Sequence, residues 1–192
     1  MRSVCLCANH AHVGGQGIAN FVAQLLGSFV GAVLLALVKD HSLDKTGGLG
    51  TNTLAPGIGS GQALVGEIIC TFFLMYTVLE TAVSPKSEAN RALAPLAIGL
   101  AVYLGHSLLI PVDGCSINPT RTIGPAIVAT FRVDDAGPIW SAMWVFWVGP
   151  CVGALLAVFV YEKAYAALPG AAAPSAAAAP PQQEARTEPT AA

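Results

Sequence analysis

A polar run at residues 113–130, DGCSINPTRTIGPAIVAT, lies between long apolar segments and holds the side chains most able to contact a polar solute. Asn118 suits a helix N-cap, because its side-chain oxygen can accept a hydrogen bond from a free backbone N–H. Pro119 suits the first helical position, where a missing N–H costs nothing. A helix that starts at Asn118 would hold the amide of this side chain at its tip, where two N–H donors can bind a water oxygen.

The helix predicted at about residues 118–130 is too short to cross a membrane, since about 1.5 Å per residue covers only about half of a bilayer core. Charged residues at Arg132, Asp134 and Asp135 follow it. Non-helical backbone at membrane depth occurs only where protein buries it or where it lines a watery cavity. We therefore expect a re-entrant half-helix preceded by pore-lining backbone, which indicates a channel or transporter. The predicted pore-lining positions are Asp113, Gly114, Cys115 and Ser116.

The segments that must hold this loop are apolar. The chain of 192 residues is 54% hydrophobic and only 10% charged, which is the composition of a membrane protein and not of a soluble domain. Apolar runs of spanning length lie at about residues 18–38, 62–83, 93–110 and 140–161. The sequence thus predicts an all-α membrane protein with four transmembrane helices and one re-entrant half-helix.

The rest of the composition argues against several other classes. A net charge of −2 gives no basic face for binding nucleic acid. The five cysteines show no CxxC pair and no zinc-like spacing, so we predict no disulfide framework, metal site or cofactor. Residues 1–17 are a short segment of uncertain structure, in which an adventitious Cys/His cluster is favoured over a metal site. The Ala/Pro-rich residues 166–192 are predicted to be a disordered tail.

Residues 117–126, INPTRTIGPA, resemble the second signature loop of the aquaporin (major intrinsic protein) family, which is Asn-Pro-Ala followed by Arg. The match extends over roughly residues 18–161 and is most like the plasma-membrane aquaporins of plants and algae. Thr120 replaces the usual Ala of the motif. The resemblance implies a water channel in the lipid bilayer, in a homo- or hetero-tetramer of aquaporin subunits, with no enzymatic activity.

The same resemblance implies roles for individual residues. His106, Cys115 and Arg121 match the family's selectivity constriction, and Glu67 matches a scaffold residue that binds the backbone of the signature loop. Other interpretations stay open from the residues alone, since His106 and Cys115 could be packing residues. Arg121 could extend to the interface, although a cation at membrane depth favours a pore. Gln24 is more easily interpreted as a helix-packing hydrogen bond than as a solute ligand.

Two glycine pairs suggest an internal repeat. Gly27 and Gly31 in GSFVGA recur as Gly149 and Gly153 in GPCVGA, each before a Leu/Val/Ala run. Small residues four apart let helices approach closely in lipid, so the pairs could be independent packing faces. Transporter-like folds are often built from inverted repeats, which makes equivalent helices the second interpretation.

The resemblance also implies that part of the fold is missing. The family has six spans and two half-helices, whereas this chain has a single Asn-Pro and begins near the third span. We therefore expect it to carry the second half of a pore. The alternative is a non-conducting subunit that associates with complete aquaporins, and a membrane enzyme built on His106 and Cys115 is the weakest interpretation. By resemblance, we expect a plasma-membrane protein with both termini in the cytoplasm.

Overall fold

The computed structural model describes residues 11–46 and 48–166, and all regular elements within these ranges are helical. The five α-helices are α1 (Ala11–Val38), α2 (Ser60–Val78), α3 (Ala94–Asp113), α4 (Pro119–Thr130) and α5 (Gly137–Ala166). A π-helical turn, Leu79–Val83, extends α2, and a 3-10 helix, Pro85–Leu93, leads from it into α3. A short 3-10 helix, His41–Leu43, follows α1.

Four stretches of the described residues are long and apolar enough to cross a membrane: Gly15–Val38, Ser60–Val83, Pro85–Asp113 and Gly137–Ala164. The prediction of an all-α membrane fold with four spanning helices is therefore confirmed. Helix α1 already begins at Ala11, inside the segment 1–17 whose structure the sequence left uncertain. Residues 1–10 and the predicted tail from residue 167 onward lie outside the described residues.

Helix α4 has 12 residues, or about 18 Å at 1.5 Å per residue, against the roughly 30 Å of a bilayer core. Asn118 is its N-cap in an extended conformation, and Pro119 is the first helical residue. The first N–H groups of a helix have no partner within the helix, and Pro119 has no N–H to leave unpaired. The Asn118 side chain accepts from the free N–H of Thr120, so the helix can begin abruptly at this point.

Close helix packing concentrates where glycines remove a side chain. Helix α2 packs along α5 and also contacts α3, while α1 packs against α4. A Cβ added at Gly149 of α5 would lie 2.6 Å from the Cβ of Glu67, and one at Gly153 would overlap the Ile68 carbonyl oxygen. A Cβ at Gly124 of α4 would likewise overlap Ser28 of α1. These contacts bring the backbones of α2 and α5, and those of α1 and α4, close together.

The end of α4 is joined by hydrogen bonds to the end of α1 and the segment after it. Arg132, just beyond α4, donates from Nη2 to the Lys39 carbonyl at 3.2 Å and accepts at its own carbonyl from His41 Nε2 at 2.7 Å. A cation that binds the last carbonyls of a helix complements the negative end of the helix dipole, here that of α1. Phe21 of α1 meets Trp147 of α5 edge to face, with ring centroids 6.2 Å apart.

The loop after α1 folds back on itself before it reaches the signature loop. Asp44 Oδ1 accepts from the Thr46 hydroxyl at 2.6 Å, and its Oδ2 accepts from the Leu49 N–H at 2.7 Å. Leu49 has φ +56° and Gly50 has φ +69°, so the chain turns through two left-handed residues. The carboxylate compensates for the strain of Leu49, which is not a glycine.

Candidate functional site

The backbone between α3 and α4 is held in an unusual conformation. Gly114 has φ +82°, Cys115 +56° and Ile117 +43°. Gly114 caps α3, with its N–H donating to the Leu109 and Ile110 carbonyls at 3.1 and 3.2 Å. Left-handed φ values at two residues with side chains are costly, so other contacts must stabilise this loop.

Two buried carboxylates provide those contacts. Glu67, which is 0% exposed, accepts from the Ser116 N–H at Oε1 (2.6 Å) and from the Ile117 N–H at Oε2 (2.7 Å). Asp113 Oδ1 accepts from the Cys115 N–H at 2.9 Å. Hydrogen bonds from N–H groups to a charged acceptor are among the stronger ones, and they are strongest where water is excluded.

The direction of these N–H groups also sets the direction of the carbonyls. In a trans peptide the N–H and the C=O of the same unit point in opposite directions. Since the N–H groups of Cys115, Ser116 and Ile117 point at carboxylates, the carbonyls of Gly114, Cys115 and Ser116 point away from them. Three backbone acceptors are thus displayed in series on the side opposite the Glu67 and Asp113 carboxylates.

The carbonyl of Asp113 is engaged differently. It accepts from the Thr53 N–H at 3.2 Å and from Asn52 Nδ2 at 3.3 Å, so the loop before α2 occupies it. Ala55 N–H donates in the same way to the Val112 carbonyl at 2.9 Å. These bonds satisfy carbonyls that the end of α3 would otherwise leave without partners. Of the four predicted pore-lining positions, Asp113 therefore contributes structure and leaves no free carbonyl.

The tip of α4 is held by Asn118. Its Oδ1 accepts from the Thr120 N–H at 3.2 Å and from the Thr120 hydroxyl at 2.8 Å. Since the oxygen of the amide is turned toward the helix, its Nδ2 is turned away from the helix with two N–H donors. Ser116 lies behind the tip, where its hydroxyl is 2.6 Å from the Thr122 hydroxyl.

Arg121, in the first turn of α4, is fixed by a residue that the sequence analysis did not single out. Its Nη1 donates to Asn52 Oδ1, and the Thr122 hydroxyl donates to the same oxygen at 2.8 Å. Asn52 is 0% exposed and also donates to the Asp113 carbonyl, so one amide joins the loop, the end of α3 and the start of α4. The guanidinium keeps further N–H groups for other acceptors.

His106 lies on α3 and is half-buried. Its Nδ1 is 2.8 Å from the Val102 carbonyl of its own helix. A carbonyl oxygen only accepts, so Nδ1 carries the hydrogen, and Nε2 is an acceptor in the tautomer with a single N–H. His106 therefore complements the donors of Asn118 and Arg121 in hydrogen-bonding character.

The Cys115 thiol does not lie on the face of the displayed carbonyls. The residue is 0% exposed, and its side chain packs in an apolar cluster with Cys70, Leu74 and Leu109. Its φ of +56° accompanies this placement, with the thiol in the interior and the carbonyl on the opposite side. The family resemblance implies that the thiol faces a constriction, while the residues alone left packing open, and the contacts of the buried thiol are packing contacts. Within residues 15–46 and 48–164, no three His, Cys, Asp or Glu side chains are arranged to hold a metal ion.

The glycine pairs proposed for helix packing differ in their surroundings. Gly149 and Gly153 face α2 at close range. A Cβ added at Gly27 or Gly31 would meet no described atom within 4 Å. The structure thus packs one pair and leaves the other open.

Known proteins resemble this chain over most of its length. The model of the family described as "Major intrinsic protein" matches residues 5–161. The chain is 42% identical to "Probable aquaporin PIP2-1" of Oryza sativa subsp. japonica over 77% of this chain and 50% of the relative. It is 43% identical to "Probable aquaporin TIP-type alpha" of Phaseolus vulgaris over 83% and 58%, and 41% identical to "Aquaporin PIP2-7" of Musa acuminata over 77% and 51%.

The matched region contains the half-helix, the signature loop, Glu67, the first three spanning segments and most of the fourth, which continues to Ala164. The chain spans about half the length of the curated relatives it matches, with 50% and 58% of two of them covered. The chain therefore belongs to the major intrinsic protein family, the family of the aquaporins.

Proposed function

We propose that this chain forms one half of the wall of a water-conducting pore. The observation that carries the proposal is the row of carbonyls at Gly114, Cys115 and Ser116, which ends at the donor groups of Asn118 on the tip of a half-length helix. Acceptors in series followed by donors suit a single file of water molecules, because each water needs both kinds of partner.

In this proposal, water moves past the carbonyls by exchanging one accepted hydrogen for the next. Asn118 Nδ2 donates two hydrogen bonds to the oxygen of one water, so that this water cannot also accept a proton from its neighbour in the file. The positive end of the α4 dipole and the Arg121 guanidinium repel cations at the same place. Family membership supports these roles, and so does the hydrogen bond from the Arg121 guanidinium to Asn52, which holds this cation at the start of α4.

The filter that we propose consists of Arg121 as the donor and His106 as the acceptor, through the free Nε2. Cys115 contributes its backbone carbonyl and not its thiol, because the side chain packs against Cys70 and Leu109. Glu67 has no part in conduction and acts as the scaffold that orients the loop. A histidine and an arginine at one constriction, as the family resemblance implies, would favour water over larger neutral solutes.

The proposal can be tested by complementation in liposomes. The purified chain is reconstituted alone, and together with the N-terminal part of the rice relative, which supplies the spans and signature loop that the family resemblance implies. Stopped-flow shrinkage should show permeability close to that of empty liposomes for the chain alone, because residues 113–117 then lack the opposite pore wall. The combination should conduct several-fold better, and Arg121→Glu or Asn118→Asp in this chain should abolish the gain.

Two results would contradict the proposal. One is a combination that conducts no better than empty liposomes although both polypeptides are inserted and associated. The other is a gain that survives both substitutions, since water would then be passing elsewhere. Ser141→Ala serves as the control, because Ser141 is exposed near the start of α5 and donates only to the Pro138 carbonyl at 3.2 Å.

A second candidate function is a non-conducting subunit that associates with complete aquaporins in a hetero-tetramer. The open surroundings of Gly27 and Gly31 on α1 favour it, because they leave a small-residue face to which another transmembrane helix could bind. Co-purification with a complete relative, without any change in water permeability per complex, would select this function.

We further propose the plasma membrane as the location, with both termini in the cytoplasm. The resemblance carries this orientation, because the basic residues Lys39, Lys45 and Arg132 on the other side weaken any charge bias. An epitope tag placed after Ala192 should be reached by antibody only after the cells are permeabilised. Labelling of intact cells would reverse the assigned topology.

A further inference from the structure

The Thr120 hydroxyl lies at the centre of a polar chain that joins helix α1 to the cap of α4. It is 2.8 Å from Asn118 Oδ1 and 3.1 Å from Gln24 Oε1. Thr120 is only 4% exposed, so water does not replace these partners easily. A buried hydroxyl at such distances from two side-chain amides has a hydrogen-bonding role, since an unpaired polar group there would cost stability.

The number of hydrogens restricts how this chain can be arranged. A hydroxyl has one hydrogen and two lone pairs, and an amide oxygen can only accept. Thr120 therefore donates to one of the two amides and must receive from the other. Asn118 Oδ1 already accepts from the Thr120 N–H at 3.2 Å, which fixes the oxygen of this amide on the helix side. The hydroxyl therefore donates to Asn118.

Gln24 must then provide the donor. The two ends of a glutamine amide have the same shape, and the hydrogen-bond network decides which end is nitrogen. With its nitrogen toward Thr120, Gln24 donates to the hydroxyl, the hydroxyl donates to Asn118 Oδ1, and every atom acts in a role that it can fill. The opposite arrangement would leave the hydroxyl with two acceptors and one hydrogen.

We propose that Thr120 is a positioning residue which, with Gln24, fixes the orientation of the Asn118 amide. The backbone N–H of residue 120 provides one hydrogen bond to Asn118 Oδ1, and that bond needs no particular side chain. The Thr120 hydroxyl provides a second bond to the same oxygen, and the Gln24 donor holds the hydroxyl in place. An amide whose oxygen is bound twice on the helix side keeps both N–H groups turned away from the helix.

This inference extends the proposed function, because it assigns to Thr120 the task of keeping Asn118 a pure donor toward permeating water. The orientation itself can be measured without any conduction. The Asn118 side-chain amide gives a pair of N–H signals in NMR spectra of ¹⁵N-asparagine-labelled protein in nanodiscs, and they are identified by their loss in Asn118→Asp. The chain has only four other asparagines, at positions 9, 20, 52 and 90.

The test compares variants that remove or keep the hydroxyl. Thr120→Val should shift the Asn118 side-chain signals and speed their exchange with solvent, and Gln24→Met should shift them in the same direction by less. Thr120→Ser should restore the wild-type signals. Thr77→Val is the matched control, because the Thr77 hydroxyl donates to the Phe73 carbonyl of its own helix at 2.8 Å and does not contact the tip.

The inference is overturned if Asn118 keeps its wild-type signals in Thr120→Val while the protein stays folded. If the branched valine disturbs folding, Thr120→Ala replaces it, and unchanged Asn118 signals in that variant overturn the inference equally. In the complementation liposomes, Thr120→Ala should conduct less water than Thr120→Ser. Should the wild-type combination not conduct at all, the proposed function fails, while the NMR result still decides the role of Thr120.

Discussion

The two glycine pairs have almost the same sequence and different surroundings. Helix α2 packs against Gly149 and Gly153 on α5, and its backbone and the Glu67 side chain occupy the space that side chains at these positions would need. Gly27 and Gly31 on α1 face open space within the described residues. The pattern of small residues therefore shows that another helix can approach a helix face closely. The rest of the fold decides whether a helix lies there.

The occupied face, formed by Gly149 and Gly153 of α5, matters to the site because α2, which packs against it, carries Glu67. Close contact at Gly149 places the glutamate beside the signature loop, where it binds the Ser116 and Ile117 N–H groups. Helix α1 has a close contact of its own, between Ser28 and Gly124 of the half-helix. Both packed faces hold the half-helix region in place, and the open one does not contribute.

The largest effect is expected from filling the occupied face. Gly153→Leu and Gly149→Leu should each destabilise the folded chain by about 1–3 kcal/mol or more, since added carbons must displace backbone or Glu67. Gly27→Leu and Gly31→Leu should change the stability by less than about 0.5 kcal/mol, as substitutions away from packed features do. Unfolding in SDS mixed micelles, followed by circular dichroism, measures the free energies of unfolding. Equal losses for the two pairs would show that the open face is packed as well.

The second largest effect is expected for Glu67, the side chain that lies against Gly149. Glu67→Gln keeps one amide oxygen but replaces the second acceptor by an NH2 group, which leaves the Ile117 or Ser116 N–H unpaired at a cost of about 1–3 kcal/mol. Hydrogen exchange should show faster opening of residues 115–117 with little change at the ends of α1. Glu162→Gln is the control, because Glu162 is exposed on α5. Unchanged exchange in Glu67→Gln would mean that the strained loop is stable without the carboxylate.

The sequence predicted those parts of the fold that depend on local chemistry. An N-cap followed by proline, and a run too short to span a membrane, are local signals, and they place Asn118 and Pro119. Asn52 carries no such signal, because its bond to Arg121 joins residues 69 positions apart. The sequence left packing open for Cys115 but gave no signal of its left-handed φ, which non-glycine residues rarely adopt.

A third experiment uses that buried thiol. Cys115 packs among residues of α2 and α3, on the same side of the loop as the Glu67 scaffold, and is 0% exposed, whereas Cys151 on α5 is partly exposed. A membrane-permeant maleimide should therefore alkylate Cys151 at least several-fold faster than Cys115 in the folded chain, as peptide mass spectrometry can follow. SDS should remove the difference. Comparable alkylation rates in the folded state would show that the Cys115 thiol lies on the exposed face of the loop.

The smallest effect is expected in the loop that follows α1, the helix whose glycine pair has open surroundings. Hydrogen bonds from the Thr46 hydroxyl, and from the Leu49 and Thr46 N–H groups, hold the pKa of Asp44 below its usual value of 3.8. A carboxylate with a lowered pKa in the folded state stabilises the fold fully above its unfolded pKa, and this contribution is lost as the pH falls through the folded pKa. Acid below about pH 4 should therefore loosen the turn at Leu49 and Gly50.

Hydrogen-exchange protection factors at about pH 5 and about pH 3 measure this, because they correct for the intrinsic pH dependence of exchange. Protection of the Leu49 amide should fall between the two pH values in the wild type. In Asp44→Asn it should be the same at both, since a side-chain amide does not titrate in this range. Asp134→Asn should behave as the wild type, because Asp134 is exposed after α4. Constant protection of Leu49 across this range would show that the left-handed turn is held by the packing of Leu49 against Ala32 and Val128, and not by the Asp44 carboxylate.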